Sequence, residues 1–407
     1  MHMPKSIWHV YHSTRGVAGS YIHTLQEAFS DCQISSVAFV SCSYRFSSTG
    51  VVRVFFPLTD RTERRTLLIY ALRGIEFCLA YLGIFLCACV CRPIVNIHLV
   101  DDTSATYVFV RLCTLARLEV HVTCHDVVPH AGGIHPRRRA IISIASRLIV
   151  HNSHAIELLC AHYGEECARR VMVFPFPFGR LDARLPSKCS GPLGAPNSLP
   201  VDSPYLLLIG VVRGAKGVRT LLAAWSRCKS YSRWKLVIAG KWADCDPELK
   251  GEAMQLHNCV IIDRYLSDDE FVSLVRAARF VVLPYGEYTH SSVLYVAIDL
   301  SVPILVSDTP LFQETLSGYP MCFHVDESAA LAALIDRASA TDDRYRSELI
   351  SCLVATRIAE LAQLRSALIA NYRHEQGSGA GPRQIRHLHS DVCKPGNNLH
   401  RDSKETA

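Results

Sequence analysis

Residues 284–310 read PYGEYTHSSVLYVAIDLSVPILVSDTP. The stretch opens at the end of one apolar run, ARFVVLP, and contains a second, VPILV. Between them lie the small hydroxyl residues Thr289, Ser291 and Ser292, then an apolar helix-like segment. Strand, small-residue loop, helix, strand is how an open α/β sheet presents backbone N–H groups to a ligand at the carboxyl ends of its strands.

The same alternation extends in both directions. Toward the amino end of this half come YLLLIGVV, a helical pattern over 218–228, WKLVIAG, NCVIID and a helical pattern over 268–278. A long helical stretch follows over 342–372. In the other half, SIWHVYH, SSVAFVSC, IVNIHLVDD, LEVHVTCHD and RLIVHNS read as strands, with RVFFPL as a further candidate, and helical segments lie between them. These runs are apolar on both faces, which suits a parallel sheet covered on both sides. The expected fold class is α/β, with two Rossmann-like doubly wound domains facing a central cleft.

From Pro175 onward the texture changes to Pro, Gly and Ser without periodicity. The expected organisation is a first domain over 1–178, a linker over 179–203, a second domain over 204–350, a C-terminal helix over 351–373 packing back on the first domain, and a disordered tail over 374–407. A length of 407 residues favours two domains. With 49% hydrophobic and 20% charged residues a large core is available, and a net charge of +6 is too small to argue for nucleic acid. The seventeen cysteines are scattered through apolar runs, and no apolar leader follows MHMPKS. The expected reading is reduced, buried thiols in a cytoplasmic protein. Residues 66–91 are long and apolar but interrupted by Arg73 and Glu76, and read as a buried crossover helix.

Chemistry concentrates in two places. In LLLIGVVRGAKGVRTLLAAW a buried strand runs into a tight loop carrying Gly210, Arg213, Gly214, Lys216 and Gly217, and then into a helix. Glycines let backbone approach a ligand, and two cations beside a helix N-terminus suit a phosphate or diphosphate. A P-loop pattern is absent. In LEVHVTCHD a strand closes on His125 and Asp126. Asp101 and Asp102 also follow a strand, but adjacent residues on an extended chain point to opposite faces, so they make poor joint metal ligands. No metal site is expected. Arg137, Arg138 and Arg139 form a basic run that reads as a solvated face, with an anionic lipid headgroup as the alternative.

GVVRGAKGVRTLLAAW, LVIAG, YLSDDEFVSLVRAARFVVLPY and THSSVLYVAIDLSVPILVSD resemble the donor half of GT-B glycosyltransferases of the retaining, family 4 type. TCHDVVPHAGG is similar to the THDVxPH stretch of a bacterial subgroup that builds surface polysaccharides. The resemblance is strongest over 205–315 and weaker over 95–153. It implies that Arg213 and Lys216 hold the diphosphate of a nucleotide-sugar donor. It also implies that Gly210, Glu287, Thr289, His290, Ser291, Ser292 and Val293 lie at the donor, and that His125 and Asp126 face the cleft at the sugar. No cofactor is implied, the nucleotide sugar being a substrate. Family members commonly carry two glutamates around this loop; the matching positions here are Tyr288 and Val296, with Glu287 one place off.

The implied activity is transfer of a sugar, with retention, to a saccharide or lipid-linked saccharide during surface polysaccharide biosynthesis, by a cytoplasmic protein peripheral to an anionic membrane surface. The lost glutamates keep two alternatives open: a donor-binding scaffold without catalysis, and a nucleotide-sugar epimerase or hydrolase.

Overall fold

The computed structural model describes residues 6–373, apart from 14–16, 47, 61–65, 101, 130–132, 179–202, 230–232, 244, 287 and 289. Residues 179–202 of the expected linker and the tail from 374 therefore fall outside the description.

The first sheet contains β1 (Ile7–Tyr11), β2 (Ser36–Ser41), β3 (Val51–Phe55), β4 (Ile94–Leu99), β5 (Glu119–Cys124), β6 (Arg147–Val150) and β7 (Val171–Val173). Its helices are α1 (Val17–Asp31), α2 (Leu67–Cys91), α3 (Ser104–Leu115), α4 (Pro136–Ile144) and α5 (His154–Tyr163). The second contains β8 (Tyr205–Ile209), β9 (Lys235–Ala239), β10 (Cys259–Ile262), β11 (Phe280–Leu283), β12 (Ile304–Ser307) and β13 (Cys322–Phe323). Its helices are α6 (Val218–Trp225), α7 (Pro247–Gln255), α8 (Asp268–Ala277), α9 (Ser292–Asp299), α10 (Pro310–Thr315) and α11 (Ser328–Ser339), and α12 (Asp343–Leu368) follows.

Strand order is β3-β2-β1-β4-β5-β6-β7 in the first sheet and β10-β9-β8-β11-β12-β13 in the second. All pairings are parallel. Each order reverses direction once, at β1/β4 and at β8/β11, and such a switch point opens a crevice at the carboxyl ends of the strands. The fold thus matches the α/β, doubly wound reading of the sequence.

Local signals account for the helix starts. Ser267 and Glu270 form a capping box on α8, Ser291 caps α9 through Leu294 N, and Asp342 caps α12 through Tyr345 N. Of the phenylalanines at the proline-rich change of texture, Phe174, Phe176 and Phe178 are buried. Alternation of Phe and Pro sends every second ring the same way, so this piece belongs to the core rather than to a connection.

After the second domain, α12 turns back toward the first. Arg357 Nη1 donates to Phe176 O at 3.0 Å, Arg365 pairs with Asp31 at 2.7 Å, and Tyr372 OH lies 3.0 Å from His121 Nδ1.

Two sequence expectations need correction. α2 is the crossover helix from β3 to β4, but it is not buried. Phe77, Tyr81, Ile84 and Ala88 face the sheet, while Ile75, Leu79, Leu82, Leu86 and Val90 form a second apolar stripe in solvent. Apolar residues run all round this helix and only one face has a neighbour. It is long and apolar enough to cross a membrane by length and composition. The thiols are not uniformly buried either: Cys113 and Cys124 are, but Cys78, Cys87 and Cys91 are exposed on α2.

Candidate active site

Both switch points open on the space between the domains. On the second-domain side, the chain leaves β8 at Gly210, whose φ is +98° and whose added Cβ would meet Lys216 Nζ at 2.8 Å. A 3-10 turn (Gly214–Lys216) follows, and Gly217 starts α6 in the left-handed region at φ +66°. A Cβ at Gly217 would meet Pro284 O at 1.7 Å, so only glycine lets this loop touch the one after β11. Gly286 N donates to Ala215 O at 2.9 Å, which holds the two loops together.

They enclose a pocket of about 230 Å³ lined by Gly210, Arg213, Lys216, Tyr288, Ser292 and Val293, among others. Lys216 is buried beneath it. Its Nζ donates to Ile209 O at 3.1 Å and lies 5.5 Å from the ring centre of Tyr285. Burial, with the Arg213 charge adding to it, lowers the ammonium to about 8. Two cations sharing a pocket with the N-terminal N–H groups of α9 make a site for an anion of more than one charge.

On the first-domain side, His125 and Asp126 follow β5. Asp126 Oδ1 lies 3.7 Å from His290 Nδ1, so the carboxyl end of β5 meets the loop after β11 across the cleft. The His125 ring is buried among Tyr11, Tyr21, His98 and His151, 6.2 Å from the His290 ring. Burial, followed by the neighbouring imidazoles, holds His125 well below the usual histidine range. His290 stacks on Phe176 at 5.2 Å, and Phe176 stacks on Tyr295 of α9 at 5.3 Å.

Of the residues singled out from sequence, Gly210, Arg213, Lys216, Ser292 and Val293 meet at one pocket. His125, Asp126 and His290 meet at the facing rim. Ser291 is turned into the helix cap. Glu287, Thr289 and Asp101 lie outside the described residues. Val296 is fully buried one turn beyond Ser292, and Tyr288 lines the pocket and packs on Tyr285 at 4.8 Å.

The run Arg137–Arg139 is a solvated face only in part: Arg139 is exposed and Arg137 half-buried. Arg138 is buried and donates to Asp126 O at 2.5 Å. Arg137 Nε donates to Asp102 O, and Arg139 Nη1 to His162 O. Helix periodicity sends three consecutive arginines to three directions, and each finds a backbone carbonyl.

Sequence reading missed the imidazole cluster behind His125. Its signal was period-two placement of polar residues in otherwise apolar strands: His9 and Tyr11, Asn96 and His98, His121 and Thr123. In register, His9 pairs with Asn96, Asn96 with His121, and His98 with Thr123.

Two doubly wound domains facing across a cleft define the GT-B architecture, and solved structures of that architecture superpose on this chain. The sucrose-phosphate synthase from Thermosynechococcus elongatus is similar at 16% identity and a TM-score of 0.61, covering 91% of this chain and 99% of its own. Anabaena HepE, solved in complex with UDP and glucose, is similar at 14% identity and a TM-score of 0.59, covering 89% and 98%. The α,α-trehalose 6-phosphate synthase from Burkholderia multivorans is similar at 12% identity and a TM-score of 0.60, covering 92% and 97%. No curated protein sequence matches. Residues 203–340 match the family model described as Glycosyl transferases group 1.

Proposed function

We propose that this protein is a retaining glycosyltransferase. It moves a sugar from a nucleotide-sugar donor to a saccharide or lipid-linked saccharide, in surface polysaccharide assembly on the cytoplasmic side of a membrane. One observation carries the reading: Lys216, buried under the pocket beside Arg213, opposite His125 and Asp126. A buried ammonium is costly without a counter-anion, and a diphosphate supplies one.

In the transfer step the bond from the anomeric carbon to the diphosphate oxygen breaks and its electron pair leaves with the diphosphate. Arg213, Lys216 and the N-terminus of α9 meet the charge that develops there. The acceptor oxygen bonds the anomeric carbon on the face the diphosphate left, and its proton passes to the departing phosphate oxygen. His125 lies on the sugar side. The complex of Anabaena HepE with UDP and glucose supports a uridine-linked donor as a first choice.

A lipid-linked acceptor is supported by the solvent-facing stripe of α2, continued by Val108 and Leu115 of α3. Contiguous apolar surface of this kind marks an interaction site. Arg111 of α3 and Arg117 just beyond its end lie exposed and suit anionic headgroups.

The test is mass spectrometry of products after incubation with a panel of nucleotide sugars and a membrane extract. Transfer to an acceptor with release of nucleoside diphosphate is expected. Donor binding without turnover would make the protein a scaffold, and release of free sugar or an epimer would make it a hydrolase or epimerase.

A further inference from the structure

His151 directly follows β6, and Asn152 Oδ1 accepts from Ala155 N at 2.9 Å where α5 starts. A strand end and a helix cap therefore fix its backbone at the carboxyl edge of the first sheet. The residue is only 9% exposed. Its Nδ1 lies 2.9 Å from Phe174 O. A carbonyl oxygen can only accept, so Nδ1 carries the proton. Burial keeps the ring neutral by lowering it to about 3, against the pull of that carbonyl. A neutral imidazole has one N–H, so Nε2, at the tip of the ring, carries a lone pair.

That nitrogen is buried and has no hydrogen-bond partner among the described residues. Buried polar atoms are nearly always paired, and an exception calls for a reason. The surroundings supply one. The His151 ring centre lies 5.5 Å from that of His125 in the first domain and 6.5 Å from that of His290 in the second. His125 and His290 are themselves 6.2 Å apart, so the three imidazoles form a triangle that bridges the cleft. Edge contacts with Tyr21 at 5.6 Å and Phe176 at 4.9 Å hold the His151 ring in place.

The sign of the group narrows the ligand. A lone pair repels phosphate oxygens, which have no proton to give, and accepts from an O–H. The diphosphate suits the pocket of Arg213 and Lys216, and the group that suits His151 is a sugar hydroxyl. We infer that His151 is a sugar-binding residue whose Nε2 accepts a hydrogen bond from one hydroxyl of the sugar held between the domains, so that the site selects sugars bearing that hydroxyl. The inference rests on the glycosyl-transfer reading above.

His151→Asn tests it. The Asn amide N–H falls where Nδ1–H does and keeps the bond to Phe174 O, while nothing replaces Nε2. His151→Gln is the converse: its amide oxygen reaches the place of Nε2, and the bond to Phe174 O is lost. Calorimetry with UDP-glucose, UDP-galactose, GDP-mannose and dTDP-glucose, each against its own nucleoside diphosphate, reads the sugar contact apart from the diphosphate contact. The nucleotide sugar that the wild type binds best should bind His151→Asn about 10-fold more weakly, with the diphosphate unchanged. His151→Gln should keep the sugar affinity and lose more melting temperature than His151→Asn, because Phe174 O is left unpaired. A purely structural histidine would give the reverse order, with Asn harmless and Gln damaging to both.

Deoxyfluoro forms of the same sugar cannot donate at the altered carbon. At one position the substitution should cost the wild type about 10-fold in affinity and cost His151→Asn nothing further. Wild-type sugar affinity in His151→Asn overturns the inference. So does a His151→Asn protein that does not fold, since Nε2 would then be carrying structure. A wild-type protein that binds none of these nucleotides removes the glycosyl-transfer reading as well, whereas tight donor binding that ignores the Asn substitution removes the inference alone.

Discussion

Asp126 Oδ1 of the first domain lies 3.7 Å from His290 Nδ1 of the second, at the point where the β5 terminus meets the loop after β11. Both side chains are partly buried and they come from opposite domains, so the pair reports on cleft geometry as well as on charge. His290→Phe keeps the stack on Phe176 and removes the nitrogen. We expect His290→Phe and Asp126→Asn each to lower turnover about 10-fold, and the double variant to be little worse than either single one. Strictly additive losses would show that the two groups act separately.

Lys216 gives a pH dependence of known sign. With its ammonium lowered to about 8, the free protein loses this charge as pH rises through 8, and an anion binds the charged form better. Affinity for a nucleoside diphosphate should therefore weaken about 10-fold per unit above pH 8. Fold stability has the opposite slope. The value lies below that of a solvated lysine, so the unfolded chain holds more proton between about 8 and 10.5, and this group's contribution grows over that window. Calorimetric titration at several pH values, with Lys216→Met as control, reads both. Lys216→Met should cost about 10²–10³ in turnover and little in melting temperature. Affinity flat from pH 7 to 9 would remove Lys216 from the diphosphate.

Four buried histidines predict acid lability. Burial lowers His9 and His151 to about 3, and lowers His98 and His125 well below the usual range. Each stays neutral in the fold and is protonated in the unfolded chain below about 6.5, so stability falls as pH falls beneath that value. Each contributes about 1.4 kcal/mol per pH unit, and domain stability is only about 5–15 kcal/mol. Unfolding by about pH 5 is expected in an acid titration followed by circular dichroism. Native spectra at pH 3.5 would mean that some of these imidazoles are charged in the fold.

The solvent-facing stripe of α2 should bind vesicles. Flotation with anionic liposomes is expected to recover the protein at low salt. Part of that binding should persist at high salt, because the face is apolar and only its basic rim is screened. Leu79→Glu with Leu86→Glu should release it while sugar transfer to a soluble acceptor continues. Equal recovery of the double variant would place the contact elsewhere.

Much of this was legible in the sequence. Arg213 and Lys216 could be placed because strand, glycine loop and helix follow each other in the chain, so their proximity to Gly210 is local. Ser292 and Val293 were reachable because a strand end and a helix start fix them. His98 was not, since its partners come from β1 and β5 and only strand order brings them together. The exposure of Leu79 and Leu86 was hidden for a related reason: composition gives the length of an apolar helix, and only the packed neighbours tell which faces are covered. Arg138 was misread because a charge run suggests solvent, whereas the Asp126 carbonyl gave it a buried partner.

The return of α12 has a consequence for synthesis. Arg365 reaches Asp31, and Tyr372 reaches His121 and packs its ring at a tilt against Phe29. As the chain leaves the ribosome, the first domain waits with this surface open until the whole second domain has been made. Its cover follows that domain in the chain. A chain stopped after residue 350 would carry both sheets and still leave that surface bare.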